Sequence, residues 1–243
     1  MLLIKLSAIE STNSFLKDWV QQTKDYTQVG VWAEHQTNGR GRRNTKWQTV
    51  KGLNLTGSIY ISASILQETD VFALNKRACV AVYKTLNKYQ IPKLSIKWPN
   101  DILSGNKKLG GILVEPIMRG STLTGIIIGC GINVNQRKFP NLPCATSMAL
   151  CAEKKFSIEE MFETLANKIK TELTSKTDAH EAYMSLLFGF QEELTFKRPD
   201  GTTFEATITD VAQNGTLLLT HKNGRKEAFN EKEVIFKVSA NCQ

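Results

Sequence analysis

The sequence predicts an α+β protein in two parts: helices mixed with strands over residues 1–189, then a small β-barrel over 190–243. Three observations carry this. Helical and strand-like apolar periods alternate through the first part. A long amphipathic stripe from Ser157 to Leu173 closes it. After Gly189 the chain turns into short β runs separated by Asp200-Gly201, Asn214-Gly215 and Asn223-Gly224, dipeptides that favour tight hairpins.

The elements follow in order. Met1–Leu6 reads as a strand. Ser11 can cap a helix that carries Phe15, Leu16, Trp19 and Val20 on one stripe. Val29–Glu34 is a strand, 36–51 a loop and Leu53–Ser62 a second strand. Asp70–Lys88 repeats apolar residues with helical spacing. Leu94–Trp98, Lys108–Glu115 and Thr122–Asn133 are further strands, with Gly105 and Gly120 in the turns between them. Pro140 and Pro143 mark an exposed loop over 136–147. Ser157 caps the amphipathic helix, and another helix spans about Asp178–Phe188. Four to six strands fit into the last fifty or so residues.

Composition narrows the class. Hydrophobic residues make up 41% and charged residues 22%, as in a soluble globular protein. No apolar run approaches the ~18 residues of a membrane span, and the N-terminus lacks a signal-peptide pattern. Cys79, Cys130, Cys144, Cys151 and Cys242 are odd in number and include no Cys-x-x-Cys pair. Free thiols in a reducing cytoplasm are expected. With His35, His180 and His221 as the only histidines, no metal-ligand cluster is expected. Net charge is +8, of which residues 1–190 hold +9 and 191–243 hold −1. An anionic partner is therefore expected at the first part.

Four segments suggest where that anion goes. Gly39-Arg40-Gly41-Arg42-Arg43-Asn44, with Trp47 close behind, combines forked donors with a backbone that lets a ligand approach. Lys97-Trp98-Pro99-Asn100-Asp101 sets a lysine and a carboxylate at the end of a strand, where Pro99 stops the ladder. Lys108-Leu109-Gly110-Gly111-Ile112-Leu113-Val114-Glu115 puts a lysine at the mouth of another. Gly129-Cys130-Gly131-Ile132-Asn133 leaves bare backbone inside an apolar strand, where a ligand or a neighbouring element can press close. Each segment alone also fits an ordinary turn or bulge.

Together with Ser11-Thr12-Asn13 and Glu34-x-Gln36, these segments occur in the order and approximate spacing found in biotin protein ligases. The chain resembles the monofunctional type that lacks an N-terminal DNA-binding domain. The resemblance spans roughly residues 8–135 and implies a mixed β-sheet with helices on one side, as in class II synthetases, followed by an SH3-like barrel. It implies ATP-dependent activation of biotin to biotinyl-5′-AMP, then transfer to one lysine of a biotin carboxyl carrier protein domain of acetyl-CoA carboxylase. ATP with Mg²⁺ and biotin would be substrates, with no tightly held cofactor and no protein metal site. By matching positions, biotin would meet Ser11, Thr12, Asn13, Gln36, Gly39, Arg40, Gly41, Arg42, Lys108, Gly111, Ile112 and Gly129. The nucleotide would meet Arg42, Arg43, Trp47, Lys97, Asn100 and Asn133. Lys108, Arg40 and Asp101 are the candidate catalytic residues. Asn44 stands where the family's loop commonly has glycine, and Lys237 is the nearest counterpart of a family arginine that reaches the nucleotide.

The chemistry fits these residue types. Biotin's carboxylate is already ionised, so the first step needs neutralised charge and positioning rather than a base. The acceptor lysine must lose a proton, at a cost of about 4–5 kcal/mol at pH 7, and Asp101 is the candidate acceptor. Ser11-Thr12-Asn13 begins too early in the sequence to leave room for a recognition helix before it, so no DNA binding is expected, and no membrane binding either. A ligand-promoted homodimer and a cytoplasmic location complete the expectations. The rival readings are a lipoate or octanoate ligase or transferase of the same fold, and a non-enzymatic nucleic-acid-binding module.

Overall fold

The computed structural model describes residues 1–23 and 26–237. Seven strands form one mixed sheet: β1 (Leu2–Leu6), β2 (Gln28–Ala33), β3 (Leu55–Ser62), β4 (Leu94–Lys97), β5 (Asp101–Ser104), β6 (Lys107–Arg119) and β7 (Thr122–Ile132). Their order is β1-β2-β3-β7-β6-β5-β4. β1 pairs parallel with β2, and the other pairs are antiparallel. β5 was not foreseen. It is only four residues long, and the turn at Trp98–Asn100, with a cis Trp98–Pro99 peptide, folds it straight back on β4.

The helices are α1 (Thr12–Gln22), α2 (Val71–Asn87), α3 (Met148–Cys151), α4 (Ile158–Leu173) and α5 (His180–Ser185). Ser11, Asp70 and Ser157 cap α1, α2 and α4 by accepting from exposed backbone N–H groups. The long helices α2 and α4 cover one sheet face, and their core takes Trp32, Ile59, Ile61, Ile126, Ile128 and Ile132. The other parity of the same strands, Val29, Val31, Tyr60 and Ile127, packs against Leu16 of α1. One-sided helix cover therefore holds for the long helices, while α1 sits on the opposite face. The cause is that β2 and β3 are buried on both faces, so both need a partner.

α1 covers only part of its face. Towards β6 and β5 that face carries Gly111, Gly129 and Gly131 and is left open. This opening positions the site.

Residues after Gly189 form a second, antiparallel sheet of five strands: β8 (Glu193–Lys197), β9 (Thr203–Val211), β10 (Leu217–His221), β11 (Lys226–Phe229) and β12 (Ile235–Phe236). Their order, β11-β10-β9-β8-β12, is consistent with an SH3-like domain. Gly201, Gly215 and Gly224 all take positive φ, as the hairpin dipeptides require. The two sheets share a continuous apolar core from Ile96 and Trp98 to Phe196 and Phe236. Polar contacts reinforce the junction: Trp98 Nε1 donates to the Gly215 carbonyl at 2.9 Å, and His180 Nε2 lies 3.0 Å from an Asp210 oxygen.

Cys79, Cys130 and Cys151 are free, but Cys144 is disulfide-bonded. The expectation of free thiols fails there because pairing depends on how close the fold brings two sulfurs, which spacing along the chain does not reveal. Cys242 lies outside the described residues. Among those residues no helix is long and apolar enough to cross a membrane, and no group of three or more His, Cys, Asp or Glu is arranged to hold a metal.

Candidate active site

A cavity of about 450 Å³ opens on the sheet face beside the N-terminus of α1. Its floor rests on glycines that neighbouring side chains approach closely. A Cβ on Gly129 would collide with the Asn13 side chain, and one on Gly131 would collide with the Trp47 indole. Gly111 faces Asp101, Lys108 and Trp47 at closer to ordinary contact. Gly129 and Gly131 let Asn13 and the Trp47 indole pack directly on the sheet backbone, and those side chains form the cavity surface there.

One end of the cavity is a hydrogen-bond network of neutral side chains, tied at its edge to the Arg40–Glu115 pair. Gln36 Oε1 accepts from the Thr12 backbone at 2.8 Å and from the Thr12 hydroxyl at 3.0 Å. Ser58 Oγ joins the Thr12 hydroxyl at 2.6 Å and Asn13 Oδ1. Asn13 Nδ2 donates to Glu115 at 2.6 Å, and Glu115 also receives Arg40 at 3.1 Å. Thr12, Asn13 and Ser58 are buried. Buried polar groups of this kind are held in fixed orientations by their mutual bonds.

The other end is cationic. Residues 39–47 form a small hairpin: Gly41 N–H donates to Thr45 O at 2.7 Å, and Trp47 N–H to Gly39 O at 2.9 Å. At its tip Arg43 is in the left-handed region (φ 49°). The residue under backbone strain is thus Arg43, one position before Asn44, whose side chain lies outside the described residues. Arg42 and Arg43 both donate to Glu231 of the second sheet. Lys108 Nζ pairs with Asp101 at 2.7 Å, between the two ends of the cavity. Lys97 faces Asp101 across the β4–β5 hairpin, and its ammonium lies 5.3 Å from the Phe236 ring centre.

Burial lowers the Lys97 ammonium's pKa below its ordinary value, and neighbouring Lys108 adds to this, while Asp101 opposes it. Burial would raise the Glu231 carboxyl, but its bonds to Arg42 and Arg43 hold it below its ordinary value. Cys130, beneath the floor, is pushed up to about 12 by burial, which leaves it a poor nucleophile.

Most of the expected residues converge here. Ser11, Thr12, Asn13, Gln36, Arg40 and Gly41 line the cavity, as do Arg42, Trp47, Lys97, Asn100, Asp101, Lys108, Gly111 and Gly129. Three of these have a structural task as well. Ser11 caps α1. Asn100 Nδ2 donates to the Ile112 carbonyl, fixing the turn after β4. The Trp47 indole packs on Gly131 of β7, where its Nε1 is buried without a partner.

Four expected residues are placed differently. Ile112 borders the cavity, but its side chain belongs to the core on the helix-covered face, because it has the opposite strand parity to Gly111. Gly39, Arg43 and Asn133 do not line the cavity. Gly39 forms the hairpin, Arg43 points to Glu231, and the Asn133 amide donates to Thr146 O at 2.9 Å. Lys237 is also outside the lining, and Lys232 stands in the wall instead.

Sequence reasoning missed Ser58, Lys46, Glu231 and Lys232. Ser58 left a signal: with Thr56 it breaks the apolar run of β3 at the parity that faces the site. Glu231 and Lys232 left none, since their position depends on how the second sheet docks.

Known proteins resemble this chain in sequence and in fold. Residues 6–133 match the biotin/lipoate A/B protein ligase family. The bifunctional ligase/repressor BirA of Bacillus subtilis is 30% identical over 210 residues, covering 82% of this chain and 64% of that protein. The biotin–[acetyl-CoA-carboxylase] ligase of Paracoccus denitrificans is 33% identical over 108 residues, 43% of each chain. The chain thus spans less than two thirds of the length of these curated relatives. A biotin protein ligase from Aquifex aeolicus, solved with biotin and ATP, superposes with a TM-score of 0.78 over 98% of this chain and 99% of that one, at 24% identity. The neutral network, the arginine hairpin and the Lys108–Asp101 pair all fall within or beside the matched segment, and the chain belongs to the biotin/lipoate A/B protein ligase family.

Proposed function

We propose that this protein activates biotin with ATP and passes the biotinyl group to a lysine of a carrier protein domain, of the kind found in acetyl-CoA carboxylase. The observation that carries this reading is a single cavity whose two ends differ in chemistry, with Lys108 between them. The network of Thr12, Asn13, Gln36 and Ser58 suits a neutral polar head group such as biotin's ureido ring. Arg40, Arg42, Lys97 and Lys108 suit a carboxylate meeting a polyphosphate. The name of the Paracoccus relative and the biotin and ATP bound to the Aquifex protein support the choice of these two substrates.

In the first step a biotin carboxylate oxygen attacks the α-phosphorus of ATP. The bond from that phosphorus to the pyrophosphate oxygen breaks, and pyrophosphate leaves with the electron pair. Cations near the junction neutralise charge that would otherwise keep two anions apart. Mg²⁺ would be held mainly by phosphate oxygens and water, because Asp101, Glu115 and Glu231 are each already paired with a protein cation. In the second step the carrier lysine attacks the carbonyl carbon of the mixed anhydride, AMP leaves, and a proton must depart from the attacking nitrogen. Asp101 is the proton acceptor in this reading. If so, Asp101→Asn should slow single-turnover transfer from preformed adenylate, and an unchanged rate across pH 6–9 would reject that role.

The test of the whole reading is exchange of labelled pyrophosphate into ATP without any protein acceptor. Exchange should require biotin and ignore lipoate. Equal exchange with lipoate, or none with biotin, would sink it.

A further inference from the structure

The arginine hairpin is fastened to the rest of the molecule in an uneven way. Its backbone bonds close on itself. Arg40 pairs with Glu115 of β6; among the other described side chains of residues 39–47, the hydrogen bonds that leave the hairpin all end on Glu231, between β11 and β12. One oxygen, Glu231 Oε2, receives Arg42 Nε at 3.1 Å, Arg42 Nη2 at 2.8 Å and Arg43 Nε at 3.3 Å. The Glu231 side chain is only 19% exposed.

A carboxylate beside a phosphate site looks counterproductive, since it competes for the same cations. The geometry resolves this. A guanidinium carries five N–H donors in a rigid fork. Arg42 gives Glu231 its Nε–H and one hydrogen of Nη2. Both hydrogens of Nη1 and the second of Nη2 remain for an anion in the cavity, whose wall Arg42 forms. Glu231 thus fixes the fork without using it up. Lys232, next in sequence and also in the wall, adds a cation beside that carboxylate.

We propose that Glu231 is a positioning residue for the arginine hairpin, through which the C-terminal sheet sets Arg42 and Arg43 for the nucleotide. The kinetic part of this proposal rests on the reading of the cavity as an ATP site.

Two measurements on the full chain separate the tether from that reading. Hydrogen–deuterium exchange over residues 39–47, without ligands, needs no assumption about function. Glu231→Gln keeps the shape but loses the charge, and should speed exchange there about tenfold, with Glu231→Asp in between. In biotin-dependent ATP–pyrophosphate exchange, Glu231→Gln should raise the KM for ATP about tenfold and leave the KM for biotin unchanged, with partial rescue in Glu231→Asp. Unchanged thermal stability of the ligand-free variants rules out a general folding defect, and if Glu231→Gln fails to fold, Glu231→Asp alone carries both measurements. Unaltered hairpin exchange would overturn the tether, and faster exchange with an unaltered KM for ATP would overturn its role in positioning. A parent protein without biotin-dependent exchange would refute the functional reading instead, and the hairpin exchange would then decide the tether by itself.

Discussion

The two ends of the cavity lie on one sheet face yet are built on opposite principles. At the Thr12–Gln36–Ser58 end, buried neutral groups satisfy one another through short hydrogen bonds. At the arginine end, Arg40 and Arg42 are partnered by Glu115 and Glu231, and Lys108, between the ends, by Asp101. A neutral network discriminates by shape and donor–acceptor match, so salt should affect it little. A cationic wall works by charge, which salt screens and pH changes. One cavity can therefore recognise a neutral ring and a polyanion, and bring their reactive ends together near Lys108.

Substitutions can break this division or sharpen it. The largest effect is expected where the ends meet: Lys108→Ala should lower biotin-dependent pyrophosphate exchange by about 100-fold or more, measured at saturating biotin and ATP. Next come the two floor glycines, which form an internal contrast. Gly131→Ala drives a methyl into the Trp47 indole and should weaken ATP binding about tenfold or more. Gly129→Ala presses on Asn13 and should weaken biotin binding instead. Titration calorimetry of each ligand with each variant checks the crossover, and equal losses of both ligands in both variants would erase the distinction.

Ser58→Ala should have a smaller effect. It removes the hydroxyl shared by Thr12 and Asn13, so biotin affinity should fall several-fold, by about 1 kcal/mol, with ATP affinity unaltered. The smallest effect concerns pH. The Lys97 ammonium's pKa lies below its ordinary value, so Lys97 loses its charge at a lower pH than an exposed lysine would. As pH rises into the alkaline range, ATP affinity should therefore decline while biotin affinity stays level. Replacing Lys97 with Met should flatten the decline.

Much of this was legible in the chain because it is local. Ser11 before an apolar helical stripe, glycine beside asparagine or aspartate in the hairpins, and the alternating arginines and glycines of 39–43 each state their own structure within a few residues. Parity explains other readings. Ile112 sits between Gly111 and Leu113, and only knowing which face is open reveals that its side chain points away from the cavity. The same applies to α1, whose face follows from the two-sided burial of β2 and β3. What could not be read is what depends on docking. Glu231 and Lys232 lie more than ninety residues after Gly131, and they reach the wall only because the second sheet packs through Trp98, Gly215 and Phe236. Lys237, chosen by position along the chain, shows how a shift of a few residues between short strands changes which lysine faces the cavity.

The central claim is that both ends belong to one site and that their ligands react within it. Thermal unfolding tests this most directly, with biotin alone, with ATP and Mg²⁺ alone, and with all three. A modest rise is expected with either ligand and a much larger rise with both, because the adenylate formed in place spans the whole cavity and binds more tightly than either substrate. A rise with both that equals the sum of the separate rises, or no rise with biotin, would contradict it.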